Sequence, residues 1–339
     1  MRLLTVLCFA HLAFAADPVD VFMGDWKGTL TPAGQGGQTV AVQMIPHGQG
    51  AYEARIVSRI DQRVPVLHQL RGVVSDGRVR LIDAVPFEVS RVMGATDDGV
   101  VYQASLWSGS GAPGAMQGTI AGVMKGSFQL ESAPRTSPTL GVKPPPGAVV
   151  LLDGTNLDAW SKLDQRNEPA SWRLVGDGSM EVRGGNIITR EKFGSFHLHL
   201  EFRTPYMPQA RGQARGNSGV YLQGRYEVQV LDSFGLNGED NECGGIYQIA
   251  RPRVNMCFPP LQWQTYDITF TSPERDAAGK KTANARATIA HNGVIIHDHL
   301  ELPRITGGAV NDREGEPEGI LLQDHGDPVR YRNIWIQRR

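Results

Sequence analysis

The 339-residue chain lacks an excess of charge of either sign. Its 34 lysine and arginine residues nearly balance its 35 aspartate and glutamate residues, and the formal net charge is -1. Nucleic acids and anionic membrane surfaces are bound by clustered positive charge. The composition therefore gives no support for a nucleic-acid partner or for attachment to an anionic membrane.

Long apolar runs are also scarce. One extends from Leu3 to Phe14, and no later segment reaches the roughly 18 apolar residues that a transmembrane helix needs. This run is too short to span a bilayer comfortably. It follows Arg2 and ends at Ala13-Phe14-Ala15, a small-x-small pattern typical of signal-peptide cleavage. We predict that residues 1–15 are a signal peptide rather than a buried N-terminal element. The protein is then exported to the periplasm or outside the cell, with no integral membrane span.

Cysteine is rare, with three residues in the chain. Cys8 lies within the predicted signal peptide, so Cys243 and Cys257 remain in the mature protein. Two cysteines make a poor structural zinc site because such a site needs four ligands. In an oxidising compartment the pair can close a loop of roughly 15 residues, which stabilises the fold by about 3 kcal/mol in the chain-entropy model. We predict a disulfide between them; two free thiols are the alternative.

Almost no segment has the pattern of a helix of ten or more residues. Instead, 40 glycines and 21 prolines separate short alternating segments, as expected for strands joined by turns. Within residues 17–135, segments 39–45 and 78–82 are examples, and they predict a small antiparallel β domain. Its opening, Gly24-Asp-Trp-Lys-Gly28, is similar to the first strand of lipocalin-like barrels, which favours a barrel over a sandwich.

A proline-rich segment follows this domain. Residues 136–147 include three consecutive prolines, Pro144 to Pro146, which favour an extended, semi-rigid spacer that cannot join a central strand. We predict a linker here and a second domain over residues 148–339. Strand patterns dominate that half again, including an alternating segment at residues 196–203 and a hairpin with the turn Asn292-Gly293. A two-sheet sandwich or jelly roll is therefore expected.

The stretch from Gly216 to Ser233 is the most informative part of the chain. It predicts two short strands joined at Gly224-Arg225, with apolar residues alternating on one face. A carboxylate, amides and an aromatic ring on the opposite face are typical of a sugar-binding surface, because polar groups bind vicinal hydroxyls while rings stack on the sugar. The residues of that face, with the acid that closes the second strand, are Tyr221, Gln223, Glu227, Gln229 and Asp232.

Two further segments present outward polar pairs. Glu201 and Arg203 alternate with apolar residues in one strand, and Gln323 and His325 lie near the C-terminal end. We expect all these segments to line one groove of the sandwich. The alternative is that each is a solvated sheet face with cross-strand salt bridges. Asn217 either presents its amide to the ligand or caps a tight turn.

Two other polar clusters have open interpretations. His325, between acids and a glycine, is a candidate proton carrier near neutral pH, or else a hydrogen-bonded turn histidine. The acidic segment Glu239-Asp-Asn-Glu242 has oxygen ligands suited to calcium, although an acidic loop tip is the commoner explanation.

Seven motifs of the second half, in this order, resemble the 3-keto-disaccharide hydrolase family, whose fold is a concanavalin-like jelly roll. They are Leu151-Leu-Asp-Gly-Thr-Asn-Leu-Asp-Ala-Trp160, Gly216-Asn-Ser-Gly-Val-Tyr-Leu222, Tyr226-Glu-Val-Gln-Val-Leu-Asp232, Cys243-Gly-Gly-Ile-Tyr247, Trp263-Gln-Thr-Tyr-Asp267, Leu322-Gln-Asp-His-Gly326 and Arg332-Asn-Ile-Trp335. The resemblance covers roughly residues 148–339 and leaves the first domain outside. It implies an exported carbohydrate-active enzyme that cleaves the glycosidic bond of 3-keto-glycosides.

The chemistry of such a substrate defines the groups that the site needs. A ketone at C3 acidifies the hydrogen at C2, so a base can remove it, the C1 aglycone leaves by elimination, and water then adds back. We predict Glu227, His325 and Asp232 as catalytic candidates, with Glu227 or His325 as base and acid. Arg203 or a bound divalent metal ion would stabilise the enolate; no other cofactor is expected. The predicted substrate-binding residues are Glu201, Arg203, Asn217, Tyr221, Gln223, Gln229 and Gln323.

A non-catalytic glycan-binding jelly roll is the alternative function, because this fold serves both roles. Two or more ionisable groups within hydrogen-bonding reach of each other would favour catalysis. Aromatic rings and amides alone would favour binding.

Overall fold

A computed structural model describes residues 20–87, 101–112 and 114–339 of the chain. The predicted signal peptide, residues 1–15, lies outside the described residues. Within these ranges the one helical element is the three-residue 3-10 turn Gly212–Ala214. In the same ranges, no helix has the length and apolar character needed to cross a membrane.

The first half is a closed antiparallel barrel of eight strands, in which each strand pairs with the next and the last pairs with the first. This closure confirms the preference for a barrel. The strands are β1 (Gly24–Pro32), β2 (Gln38–Gly48), β3 (Ala51–Val57), β4 (Val66–Ser75), β5 (Arg78–Phe87), β6 (Val101–Ala112), β7 (Ala115–Gly122) and β8 (Gly126–Ser132).

The barrel interior is filled by alternate side chains of these strands. In β4, Leu70 and Val74 are buried, whereas Leu67 and Val73 on the other face are exposed. Strands β1 and β8 approach closely at Gly28, where a Cβ atom would lie 1.9 Å from the Gln129 carbonyl oxygen. The large interior side chains include Trp26, Val42, Met44, Ile56, Leu81, Trp107 and Phe128.

The second half is a sandwich of two antiparallel sheets. The five-stranded sheet has the order β10-β13-β22-β15-β16, and the eight-stranded sheet has the order β11-β12-β23-β14-β17-β20-β21 with β9 paired to β23. A small hairpin, β18 with β19, lies apart from both. The strands are β9 (Val149–Leu152), β10 (Trp160–Lys162), β11 (Arg173–Leu174), β12 (Met180–Glu181), β13 (Ile187–Thr189), β14 (Phe196–Arg203), β15 (Ser218–Leu222), β16 (Tyr226–Val230), β17 (Gln264–Thr271), β18 (Glu274–Arg275), β19 (Lys281–Ala283), β20 (Ala285–His291), β21 (Val294–Leu302), β22 (Leu321–Leu322) and β23 (Arg330–Arg338).

The core of the sandwich lies between its two sheets. As the alternation predicted, every second residue of β14 from Phe196 to Phe202 is fully buried, and Phe196 stacks on Phe270 of β17 with 5.1 Å between ring centroids. The facing sheet contributes Val220 and Val228. Each such side chain stabilises the fold by roughly 1.5–3 kcal/mol when it is removed from water. The predicted two-sheet fold is confirmed.

The predicted hairpin turn at Asn292-Gly293 is also confirmed. It joins β20 to β21, and both residues have positive φ, 50° and 79°. A two-residue loop of this kind suits the right-handed twist of the strands it connects. Glycine accepts the left-handed backbone at no steric cost, and asparagine tolerates it better than most residues.

The segment between β8 and β9 packs against the sandwich. Ser137 Oγ lies 2.6 Å from Thr265 Oγ1, and the Gly141 N–H donates to Glu201 Oε1 over 2.6 Å. Arg135 joins the two halves, because its Nε donates to Asp25 Oδ2 of the barrel over 2.7 Å and its Nη2 donates to the Cys257 carbonyl oxygen over 3.2 Å. The proline-rich segment therefore packs on the outer face of the eight-stranded sheet.

Candidate functional site

The candidate site lies on the outer face of the five-stranded sheet, where β15, β16 and the end of β22 meet. Tyr221 of β15 is directly opposite Glu227 of β16, and Gly219 is opposite Gln229. The Gln323 N–H donates to the Gly219 carbonyl over 2.9 Å, which extends β22 along β15. Because side chains alternate across a strand, these outward residues share one face. We define the candidate site as Asn217, Tyr221, Glu227, Gln229 and Gln323.

Glu227 is the titratable centre of this face. Glu227 is only 3% exposed, and burial raises its pKa to about 7 against the opposing effect of the neighbouring Tyr221 hydroxyl. The strand opposite provides room for it, because a Cβ atom on Gly219 would lie 2.5 Å from Glu227 Oε1. A carboxyl group with this pKa can both accept and release a proton near neutral pH.

Tyr221 is a second ionisable group within reach of Glu227. Its hydroxyl group donates to the Gly307 carbonyl oxygen over 3.0 Å and accepts from Gln323 Nε2 over 3.2 Å. Burial and the neighbouring Glu227 carboxylate raise the pKa of Tyr221 well above its ordinary value. The phenol therefore stays protonated at neutral pH and acts as a hydrogen-bond donor.

Two amide groups leave acceptor oxygens without partners. Asn217 Nδ2 donates to the Gln213 carbonyl oxygen over 2.7 Å, and Gln323 Nε2 donates to the Tyr221 hydroxyl oxygen. Within the described part of the chain, Asn217 Oδ1 and Gln323 Oε1 are buried and accept no hydrogen bond. An unsatisfied buried acceptor costs about 1–3 kcal/mol, and such groups call for an explanation in a native protein. A ligand whose hydroxyl groups donate hydrogen bonds would satisfy both acceptor oxygens.

Gln229 and Asp232 are held by protein groups. Gln229 Nε2 donates to Gln213 Oε1 over 3.1 Å, and its Oε1 accepts from the Val230 N–H over 3.1 Å. Asp232 Oδ2 accepts from Arg215 Nε over 2.6 Å, while its Oδ1 accepts from the Phe234 N–H over 3.3 Å. Burial raises the pKa of Asp232, and Arg215 opposes that rise. The structure thus gives Asp232 an ion-pair partner at the end of β16.

His325 lies on the rim of this face. The loop that carries it is tied to the site, because Asp327 Oδ2 accepts from the Asn217 N–H over 2.8 Å. The imidazole itself is exposed, and in the part of the chain that is described it forms no hydrogen bond with Glu227. The expected acid and base pair is therefore not assembled in this structure.

Glu201 and Arg203 do not join the candidate site. Both lie on β14 of the eight-stranded sheet, whose other face packs on the core. Burial alone would raise the pKa of Glu201, but its hydrogen bonds outweigh burial and lower the pKa to about 2. Its carboxylate accepts from Arg332 Nε over 2.7 Å and from Asn333 Nδ2 over 2.9 Å. The expectation that these two residues share a groove with Glu227 is wrong, because sequence alternation does not say which sheet a strand joins.

Gln223 also departs from its expected orientation. It begins the turn after β15 with a φ of 50°, and this left-handed backbone ends the strand alternation. Its side chain is fully buried, and Nε2 donates to the Phe193 carbonyl oxygen over 2.9 Å and to Ser272 Oγ over 3.0 Å. Gln223 therefore anchors the hairpin and does not face the site.

The two remaining cysteines are free thiols in the structure, so the predicted disulfide is not formed there. Both are buried and adjacent, and Cys243 Sγ lies 3.2 Å from the Tyr266 hydroxyl. Glu242 caps its own loop, with Oε2 accepting from the Gly238 N–H over 2.6 Å. Among the residues that are described, no group of three or more His, Cys, Asp or Glu side chains could hold a metal ion.

Gly219 and Gln213 were not identified from the sequence. Gly219 lies within the stretch from Gly216 to Ser233, and a glycine inside a predicted strand could have indicated a close approach by another group. Gln213 lies in an irregular segment with no strand pattern, and only the fold brings it to Asn217 and Gln229.

On a two-sheet sandwich, a buried carboxyl group among amide acceptors and a phenol suits the hydroxyl groups of a carbohydrate. Residues 147–337 match the family described as the 3-keto-alpha-glucoside-1,2-lyase-like domain, and the chain belongs to that family. The resemblance seen in the seven motifs is therefore confirmed.

The second half of the chain is also similar to a solved structure. A crystal structure of a candidate glycosyl hydrolase from Parabacteroides distasonis ATCC 8503 is 34% identical, with a TM-score of 0.54, over 58% of this chain and 86% of the other. A second candidate glycosyl hydrolase from the same organism is 15% identical, with a TM-score of 0.43, over 57% of this chain and 94% of the other. The comparison with curated proteins finds no match.

Proposed function

We propose that this protein is an exported enzyme that cleaves 3-keto-glycosides by elimination across C1 and C2. The observation that carries the proposal is Glu227, a carboxyl group of pKa about 7 beside the Tyr221 phenol and the unpartnered oxygens of Asn217 and Gln323. Two ionisable groups within hydrogen-bonding reach favour catalysis over binding alone. Membership of the family supports the substrate class.

The reaction is written in two stages. The Glu227 carboxylate takes the C2 proton, and the electron pair of the C2–H bond forms a C1=C2 double bond as the C1–O bond breaks. That bond's electron pair leaves on the aglycone oxygen, which gains a proton. Water then adds to the resulting enone. Its oxygen forms a bond to C1 and a proton is added at C2, so the sum of both stages is hydrolysis.

The residues of the site match these demands. The protonated Tyr221 would turn its proton from the Gly307 carbonyl to the ketone oxygen, where negative charge develops. This role replaces the one expected of Arg203, which lies on the other sheet. Asn217 and Gln323 would accept hydrogen bonds from sugar hydroxyl groups. His325, on the rim, is our candidate acid for the leaving oxygen.

The test compares p-nitrophenyl 3-keto-glucoside with the unoxidised glucoside. We expect release of p-nitrophenol from the keto sugar alone and slower release when C2 carries deuterium, and parallel reactions with EDTA show whether a metal ion takes part. Equal turnover of both sugars, or no effect of deuterium, would contradict elimination. Tight binding of the keto sugar without turnover would indicate a glycan-binding module instead.

A further inference from the structure

One segment connects the barrel to the candidate site. It comprises residues 204–216, lies between the end of β14 and Asn217, and contains the 3-10 turn Gly212–Ala214. We call it the bracing segment. It contacts the barrel at three points, two before its turn and one after it, and the turn contacts two amides of the site.

Gln213, in that turn, bonds to the site through both of its carbonyl oxygens. Its backbone oxygen accepts from Asn217 Nδ2 over 2.7 Å, and its Oε1 accepts from Gln229 Nε2 over 3.1 Å. Its own Nε2 donates to the Asn241 carbonyl oxygen over 2.7 Å. Asn217 Nδ2 also donates to Gln213 Oε1 over 3.3 Å, so Gln213 takes up the donor of Asn217 and leaves its Oδ1 available to a ligand.

Three contacts hold the bracing segment against the barrel. Asp20, at the entry to the barrel, accepts from Tyr52 of β3 over 2.5 Å and from Tyr206 of the segment over 2.9 Å. Arg215 Nη1 donates to the Pro46 carbonyl oxygen of β2 over 3.3 Å.

The third contact is a close packing of side chain on backbone. A Cβ atom on Gly48 would lie 2.9 Å from Gln209 Nε2, so Gln209 rests directly on the β2–β3 turn. The same turn thus meets the segment both here and at Arg215. The barrel therefore contacts the segment on both sides of the 3-10 turn, while Arg215 also pairs with Asp232 of the sandwich.

We infer that Gln213 is a positioning residue of the candidate site and that the barrel serves to hold it in place. An ordered amide array lowers the entropic cost of orienting a substrate. The expected effect of Gln213 on turnover rests on the proposed function, whereas the support of the segment by the barrel does not. The inference assigns to the first half of the chain a role in the chemistry of the second half.

The first experiment uses two substitutions of Gln213 and one control. Gln213→Met keeps the side-chain volume but removes the three side-chain bonds, to Gln229, Asn217 and Asn241, whereas Gln213→Glu keeps an oxygen for Gln229. We expect Gln213→Met to lower kcat/KM for the keto sugar about tenfold, with Gln213→Glu retaining more activity and both variants melting as the parent does. The control, Gln35→Ala, changes an exposed barrel glutamine. Equal activity of Gln213→Met and the parent would overturn the inference.

The second experiment measures the brace without substrate. Tyr206→Phe removes one barrel contact, and we expect faster hydrogen exchange of the amides of residues 212–218 with no change in the exchange of the sandwich core. Unaltered exchange in residues 212–218 would overturn the role of the barrel. If the parent protein has no activity but this exchange increases, the proposed function fails while the brace stands.

The two substitutions also test each other. If Tyr206 acts through Gln213, the combined variant Tyr206→Phe with Gln213→Met will lose less activity than the product of the single losses. Independent, multiplying effects would show that the barrel contact does not act through Gln213.

Discussion

The carboxyl group of Glu227 lies over the backbone of Gly219. A methyl group on Gly219 would come 2.5 Å from Glu227 Oε1 and 3.1 Å from Tyr221 Cε2. Gly219 is paired with Gln229 in the neighbouring strand, so no large backbone movement can relieve the contact. The position of the carboxyl group therefore depends on the absence of a side chain at this one residue.

Gly219→Ala should displace Glu227 and lower turnover of the keto sugar by about tenfold or more, since small misplacements of reacting groups are costly. Activity and melting temperature are measured together. Gly176→Ala is the matched control, because Gly176 is exposed and a Cβ atom there would meet nothing within 4 Å. Full activity in Gly219→Ala would show that the carboxyl position is not critical.

Glu227→Gln should remove the base while keeping the shape of the side chain. General base catalysis typically contributes about 10²–10⁴-fold, and we expect a fall in kcat of that order in steady-state kinetics. Glu274→Gln, at an exposed position on β18, should behave as the parent. Retained turnover in Glu227→Gln would end the assignment.

The pH dependence follows from the raised pKa of Glu227. Since the ionised form is the base, kcat/KM should rise with pH and level off above a pKa of about 7. A kcat/KM that is already independent of pH at pH 5 would contradict this assignment.

Stability should show the opposite trend. The folded pKa of Glu227, about 7, lies above the ordinary 4.5, so between these values the unfolded chain loses the proton and the folded chain keeps it. Glu227 therefore destabilises the fold increasingly as pH rises from 4.5 to 7, by up to about 3 kcal/mol. In urea unfolding, Glu227→Gln should match the parent below pH 4.5 and exceed it above pH 7. A constant difference would contradict the shift.

The thiols of Cys243 and Cys257 should be unreactive in the native protein. Both are at most 1% exposed, and burial raises the pKa of Cys257 well above its ordinary value. We expect DTNB to modify neither in the native state and both after guanidinium unfolding. A chain two daltons lighter, with no thiol released on unfolding, would show that the disulfide predicted from the sequence forms instead.

Arg135→Ala should loosen the connection between the two halves. It would leave Asp25 buried, at 3% exposure, without its 2.7 Å partner. Removing one partner of a buried ion pair costs about 3–5 kcal/mol, to be measured by urea unfolding. Adding Asp25→Asn should recover part of the loss, because the unpaired charge is then gone. No recovery would indicate that the charge is not the cause.

Local pattern predicted the strands of the site well. The alternation around Tyr221 and Glu227 placed both on one face, and the structure pairs them directly. It failed at Gln223, where a left-handed residue ends the strand. It also failed at Glu201 and Arg203, because their strand joins the other sheet.

The sequence by itself determined the strands of the site and the shared face of Tyr221 and Glu227, since a period of two residues is a local property of an extended chain. It also determined the family, through motifs that keep their order. Only the tertiary structure decided that β22 lies beside β15, that Gln213 reaches Asn217 and Gln229, and that the barrel supports them. These relationships join residues far apart in the chain, and long-range packing of whole sheets selects them.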